Sequence, residues 1–141
     1  MSQLILIVED DVNDRTLLQH AFRKAAPHLE LRFANDAFQA EDYLVGRDTF
    51  ADRQAHPLPS VILLDLKMPR RSGLEFLAWM RERPKLAAIP VIVLSSSRES
   101  TDIDRAYELG ARSYLVKSVD LRELISVVQG LGTLVTLMRE I

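Results

Sequence analysis

The sequence predicts an α/β domain: a doubly wound, five-stranded parallel sheet with five helices and right-handed crossovers. Three observations predict it. Aliphatic runs such as Leu4–Val8, Val61–Leu64 and Val91–Leu94 have no polar alternation, as strands buried on both faces should not. Stretches with apolar residues at helical spacing separate the runs, so strand and helix alternate five times. The runs also stop at acids, a serine or a lysine, and open α/β sheets gather ligand chemistry at the carboxyl ends of their strands.

The elements follow in order. Leu4–Val8 is a first strand that ends in Glu9, Asp10 and Asp11. A helix runs from about Val12 or Asn13 to Ala26, with Leu17, Leu18, Ala21, Phe22 and Ala25 on one face, and stops before Pro27. Leu29–Ala34 alternates apolar and polar residues and reads as a strand nearer the sheet edge. Asp36 caps a helix that runs to Val45, with Gly46 as its stop. Residues 47–60 are polar, carry Pro57 and Pro59, and read as a long loop. Val61–Leu64 leads into Asp65, and Pro69 cannot continue a ladder because it lacks an N–H. A helix from about Gly73 to Arg83 stops before Pro84. Pro90 introduces Val91–Leu94, and Ser95, Ser96 and Ser97 follow. Ser100 or Thr101 caps a short helix ending near Leu109 and Gly110. Arg112–Val116 is the fifth strand, followed by Lys117. A last helix from about Asp120 carries Leu121, Leu124, Ile125, Val128 and Leu131.

Composition narrows the function. A length of 141 residues suits one domain, expected to fill 1–141 with nothing left for an output domain. A net charge of −2 gives no electrostatic case for nucleic acid or anionic membrane. There is no cysteine, which suits a cytoplasmic protein and removes thiolate metal sites. The N-terminus lacks the basic lead of a signal peptide, and no apolar run approaches the roughly 20 residues of a membrane span. His20, His28 and His56 lack metal-ligand spacing and read as surface or core fillers.

The chemistry sits on strand ends. Glu9 and Asp10 follow strand one, Asp65 strand three, Ser95 strand four and Lys117 strand five. An aspartate before a proline turn is commonly only a turn former. Here the fold brings it onto one edge with the others. Adjacent carboxylates repel and raise one another's pKa, so a positive charge belongs among them. Carboxylates without histidine or cysteine suit a hard cation such as Mg2+. A carboxylate nucleophile, Mg2+, a lysine and a hydroxyl together suit phosphoryl transfer onto Asp65.

These residues resemble the receiver domains of two-component response regulators. The resemblance rests on Glu9-Asp10, on Asp65 with Met68, Pro69 and Gly73, on Pro90 to Ser95, on Gly110-Ala111, and on Tyr114 with Lys117. It covers essentially the whole chain and is nearest to the small stand-alone regulators that partner phytochrome-type histidine kinases. The long loop before strand three, Tyr107-Glu108-Leu109 and residues 127–131 support that narrower likeness. The resemblance implies Asp65 as phosphoacceptor, with no turnover chemistry beyond its own phosphorylation and dephosphorylation. It implies Mg2+ held by Asp10, Asp65 and the Lys67 carbonyl, with Glu9 acting through water and Asp11 only a neighbour. It implies Lys117 on the phosphoryl group, Ser95 and Tyr114 as a switch pair, and Lys67 and Ser96 as tuning residues. One departure is Ser118, where the family carries a cis proline. A cis bond there would cost about 2.5–4 kcal/mol. We expect it, because Lys117 must still reach the site.

Rival readings fit less well. A phosphatase with an aspartate nucleophile resembles Asp-x-Asp, and the second position here is Lys67. The glycines do not cluster after strand one as a nucleotide site requires. A phosphorelay intermediate and a non-phosphorylated interaction module stay open as alternatives. The remaining expectation is a homodimer through helix four, strand five and helix five. Val127, Leu131, Leu134, Val135, Leu137 and Met138 continue past the length needed to cover one sheet, which predicts an exposed apolar patch.

Overall fold

A computed structural model describes residues 3–117 and 120–139, without the side chains of 137–139. The strands are β1 (Leu4–Val8), β2 (Glu30–Ala34), β3 (Val61–Leu64), β4 (Val91–Ser95) and β5 (Ser113–Val116). They form one parallel sheet in the order β2-β1-β3-β4-β5. The alternating run expected at an edge is the edge strand β2, and the continuous aliphatic runs are the three central strands.

The main helices are α1 (Val12–Ala25), α2 (Ala37–Val45), α3 (Gly73–Arg81), α4 (Ser100–Glu108) and α5 (Leu121–Arg139). Asp11 caps α1 and Asp36 caps α2, each accepting from a backbone N–H three residues on. Ser72 and Glu75 form a reciprocal capping box at α3. The helix expected to reach Arg83 ends at Arg81, and Pro84 opens a separate single turn, Pro84–Ala87, at a position where its missing N–H costs nothing.

Two apolar layers sandwich the sheet. On one face Ile5, Ile7, Leu63, Ile92 and Leu94 meet Leu18 and Phe22 of α1 and Leu124 and Val128 of α5. On the other, Leu6, Val8, Ile62, Leu64 and Val93 meet α2, Phe76, Leu77 and Met80 of α3, and Ala106 of α4. Alternate side chains of each strand serve opposite layers, as the pleat dictates.

Two expectations are corrected. Leu131 and Val135 do not form an exposed excess: both are buried, and Val127 packs partly against the same layer. The physical reason is α1, which lies along α5 and covers what the sheet cannot. Gly132 permits the approach, since a Cβ there would lie 3.3 Å from the Ala26 Cβ. Of the expected patch Leu134 is exposed, and the Leu137 and Met138 side chains lie outside those described. Leu121, one of the apolar residues of this helix, is exposed as well.

The 47–60 loop is also more ordered than its polarity suggests. It contains a 3-10 turn, Asp48–Phe50. The Arg53 guanidinium donates to the Tyr43 carbonyl at 2.7 Å, the Leu44 carbonyl at 2.6 Å and the His56 carbonyl at 3.1 Å. It thus supplies a donor to the Leu44 carbonyl at the end of α2 and a second one to the Tyr43 carbonyl, which already accepts from the N–H of the left-handed cap Gly46 at 3.3 Å. Tyr43 donates to the Pro57 carbonyl at 2.7 Å and packs with the rings of Phe50 and His56. Among the described residues, no helix is long and apolar enough to cross a membrane.

Candidate functional site

Ladder bonds bring the strand ends level. The Glu9 N–H donates to the Ala34 carbonyl at 3.1 Å, and the Asp65 N–H to the Val8 carbonyl at 3.1 Å. The Lys117 N–H donates to the Ser95 carbonyl at 2.7 Å. The side chains of Glu9, Asp65 and Lys117 are thereby fixed at one edge of the sheet by backbone that cannot shift without breaking it.

There Glu9, Asp10 and Asp65 each offer an oxygen, all within 4.8 Å of one another. They share a cleft of about 310 Å³ with Asp11, Asp14, Lys67, Ser96 and Lys117. The Lys117 ammonium lies among the acids: 2.5 Å from Glu9 Oε1, 2.7 Å from Asp14 Oδ2 and 3.4 Å from Asp65 Oδ2. Burial opposes its charge, but the bonds to Asp14 and Glu9 and the nearby Asp65 charge prevail and hold its pKa above the usual lysine range. Glu9 is almost wholly buried. Loss of water pushes its carboxyl up to about 7, against the pull of Lys117. Burial likewise raises Asp65, at 6% exposure, while Lys117 and the Lys67 N–H work to lower it.

The donor set fits a hard divalent cation. Three carboxylates with oxygens this close are the ligands such an ion takes. Both Glu9 oxygens are also engaged within the protein: Oε1 with Lys117, and Oε2 with the Asp11 N–H at 3.1 Å. Asp10 is half-exposed at the cleft. The Asp11 carboxylate accepts from the Asp14 N–H at 2.9 Å and so caps α1.

Ser95 and Tyr114 come together through an intermediary. The Ser95 side chain is fully buried, and its Oγ accepts from the Ser97 N–H at 3.2 Å. The Tyr114 hydroxyl donates to the Ser97 carbonyl at 2.8 Å. Ser96 lines the cleft. The Lys67 N–H donates to Asp65 Oδ1 at 3.2 Å, while its ammonium turns to Asp102 Oδ2, 3.3 Å away on α4. Ser118 lies outside the described residues, and with it the 117–118 peptide expected to be cis.

Sequence reasoning missed Asp14, Ser97 and Asp102. An acid in a first helical turn reads only as a partner for the helix dipole, so Asp14 and Asp102 gave no separate signal. Ser97 was hidden in a run of three serines.

Comparison with known proteins agrees with this geometry. A family model described as the response regulator receiver domain matches residues 5–129. The response regulator Rcp1 of Synechocystis is 36% identical over 129 residues, which are 92% of this chain and 86% of that protein. The phosphorylated cyanobacterial phytochrome response regulator RcpA superposes with a TM-score of 0.85 at 34% identity, covering 93% of this chain and 91% of that one. The Mn2+-bound form of Rcp1 gives a TM-score of 0.82 at 35% identity, covering 93% and 92%. Five parallel strands in this order, the acidic edge and these matches together establish that the chain belongs to the response regulator receiver domain family, with the flavodoxin-like fold of that family.

Proposed function

We propose that the protein accepts a phosphoryl group on Asp65 from a phosphohistidine of a histidine kinase, of the phytochrome type, in the cytoplasm. The observation that carries this is the placement of Asp65 Oδ2 3.4 Å from the Lys117 ammonium, in a cleft shared with Glu9 and Asp10. An Asp65 oxygen attacks phosphorus, the phosphorus–nitrogen bond of the donor breaks, and the imidazole leaves with a proton from solvent. The product is an acyl phosphate. Lys117 meets the charge that develops on the phosphoryl oxygens. Ser95, at the end of β4, donates to another of those oxygens once its loop moves inward.

Asp10, Asp65 and the Lys67 carbonyl would hold Mg2+, and Glu9 would act through water. Bound there, the ion neutralises charge on the phosphoryl oxygens. Lys67 and Ser96, at the cleft, tune the lifetime of the acyl phosphate. The residue two past Asp65 is a lysine and not a general acid, which supports a phosphoacceptor over a turnover phosphatase.

The signal leaves through Ser95, Ser97 and Tyr114 to the face formed by α4, β5 and α5. Tyr107 of α4 and Leu121 of α5 are exposed there, and β5 is an open edge among the described strands. This supports a homodimer through that face, from a smaller patch than the sequence suggested.

The chemistry is tested by incubation with acetyl phosphate and Mg2+, followed by intact mass. The protein should gain one phosphoryl group, and Asp65→Asn should gain none, because an amide is a poor nucleophile. Labelling of the Asn variant at the normal rate, or a wild type that gains no phosphoryl group, would refute the reading.

A further inference from the structure

One ion pair at the rim of the cleft has no part in the phosphoryl chemistry above. Asp102 Oδ2, in the first turn of α4, lies 3.3 Å from the Lys67 ammonium. The same oxygen accepts from the Ser97 hydroxyl at 2.6 Å. That hydroxyl also accepts from the Glu99 N–H at 3.3 Å, so Ser97 closes the entry into α4. One carboxylate oxygen therefore grips a residue two past the phosphoacceptor and a residue two past Ser95. Ser97 is also the residue that Ser95 and Tyr114 share, through its N–H and its carbonyl.

We propose that Asp102 is a positioning residue that restrains the loop between β4 and α4 through Lys67 and Ser97, and that a phosphoryl group on Asp65 releases this restraint by drawing Lys67 away. The inference rests on the phosphoacceptor reading of Asp65.

The charges set the direction. Lys67 is 58% exposed and contacts Asp102 through a single 3.3 Å pair, so screening by water leaves that bond weak. A phosphoryl group brings up to two negative charges into the cleft that Lys67 already lines. The Lys67 backbone is tied to Asp65 by its own N–H, so the ammonium can change partners by side-chain rotation alone. Asp102 stays in place, because the Ser97 hydroxyl and the positive end of α4 hold it. What breaks is the tether between the loop after β3 and the start of α4. Ser97 and α4 are then free to follow Ser95 toward the phosphoryl group.

Asp102→Asn tests this with little change of shape. The amide oxygen still accepts from Ser97, but the charge that holds Lys67 is gone. Beryllofluoride binding in the presence of Mg2+ would be measured by calorimetry for the wild type, Asp102→Asn, Lys67→Met and the double variant. Asp102→Asn should bind about two- to fivefold tighter, the size expected of an exposed ion pair, and the gain should shrink as salt rises. In the Lys67→Met background the second substitution should change nothing further. Equal affinity of Asp102→Asn and the wild type, or the same gain without Lys67, overturns the proposal. In the free Lys67→Met protein, the Ser95–Ser97 amide resonances should move toward their beryllofluoride-bound positions, and unmoved resonances also overturn it. Failure of the wild type to bind beryllofluoride overturns the phosphoacceptor reading itself, a different result from a wild type that binds normally while the variants do not differ.

Discussion

Gly73→Ala probes how tightly the acceptor loop is packed. Gly73 opens α3, and a Cβ there would lie 2.4 Å from the Asp65 carbonyl oxygen, 2.8 Å from Leu66 Cα and 2.9 Å from Leu66 Cδ2. Favourable carbon contacts begin near 3.5 Å, so something must retreat by about 1 Å. Two of the three atoms are main chain at the end of β3 and cannot rotate away. The helix cannot back off freely either, because the Gly73 N–H donates to the Leu66 carbonyl at 3.0 Å. Opposing this, alanine lowers the entropy of the unfolded chain, worth about 0.4–1 kcal/mol. Helix propensity adds at most about 1 kcal/mol in a helix interior and less at a first residue. Overpacking costs typically about 1–3 kcal/mol, and main-chain clashes below 3 Å belong at the upper end. The clash wins by about 1–2 kcal/mol, which lowers the melting temperature of a chain this size by about 2–8 °C. The displaced oxygen belongs to Asp65, the proposed phosphoacceptor, so labelling by acetyl phosphate should also slow in the folded variant. Urea unfolding and intact mass read the two effects. An alanine variant as stable as the wild type and labelled at the same rate would show that this close approach does not shape the site.

Two further outcomes follow from the same structure. Glu9 has its carboxyl raised to about 7 by burial, so in protein free of divalent ions its stabilising proton is fully in place below the unfolded value near 4.5 and lost as pH rises through 7. Urea unfolding without divalent ions should therefore show stability falling from about pH 5 to pH 8, while Mg2+ affinity rises over the same range; a flat profile in both would contradict the burial argument. Arg53→Ala should cost about 1–2 kcal/mol, because it leaves the Leu44 carbonyl at the end of α2 without its guanidinium donor, yet leave the rate of Asp65 labelling unchanged.

The legible parts of the fold were those written in nearest-neighbour pattern. Val61–Leu64 and Val91–Leu94 are buried on both faces, so their short unbroken aliphatic runs, bounded by Asp65, Pro90 and Ser95, marked them as strands. The acids, Ser95 and Lys117 were legible because strand ends in this architecture converge whatever the loops do. Contacts made across the fold were less visible. Five strand residues span about 17 Å, whereas the 19 residues of α5 span about 28 Å, so its far half looked unpartnered. That half packs on α1, a helix-to-helix contact that no single stretch reveals. Arg53 was hidden in the same way, since a polar loop residue gives no sign that it reaches back nine and ten positions to cap a helix.

The two lysines that line the cleft rest on acids outside the acceptor. Lys117 is held by Asp14 of α1 and Lys67 by Asp102 of α4. Phosphoryl on Asp65 calls on both, but they are not equally free to answer. Lys117 is 14% exposed, makes short bonds to Glu9 and Asp14, and already lies 3.4 Å from Asp65. It can meet the new charge with little movement, and releasing it fully would leave buried carboxylates unpaired, a costly outcome. Lys67 holds one exposed pair and loses little by leaving it. The rearrangement with the lower cost is therefore on the α4 side of the sheet. On the phosphoacceptor reading, charge arriving at Asp65 moves α4 and the Tyr114 contact before it disturbs α1, so the end of the site around Asp14 stays as it was while the face around α4 and β5 carries the change.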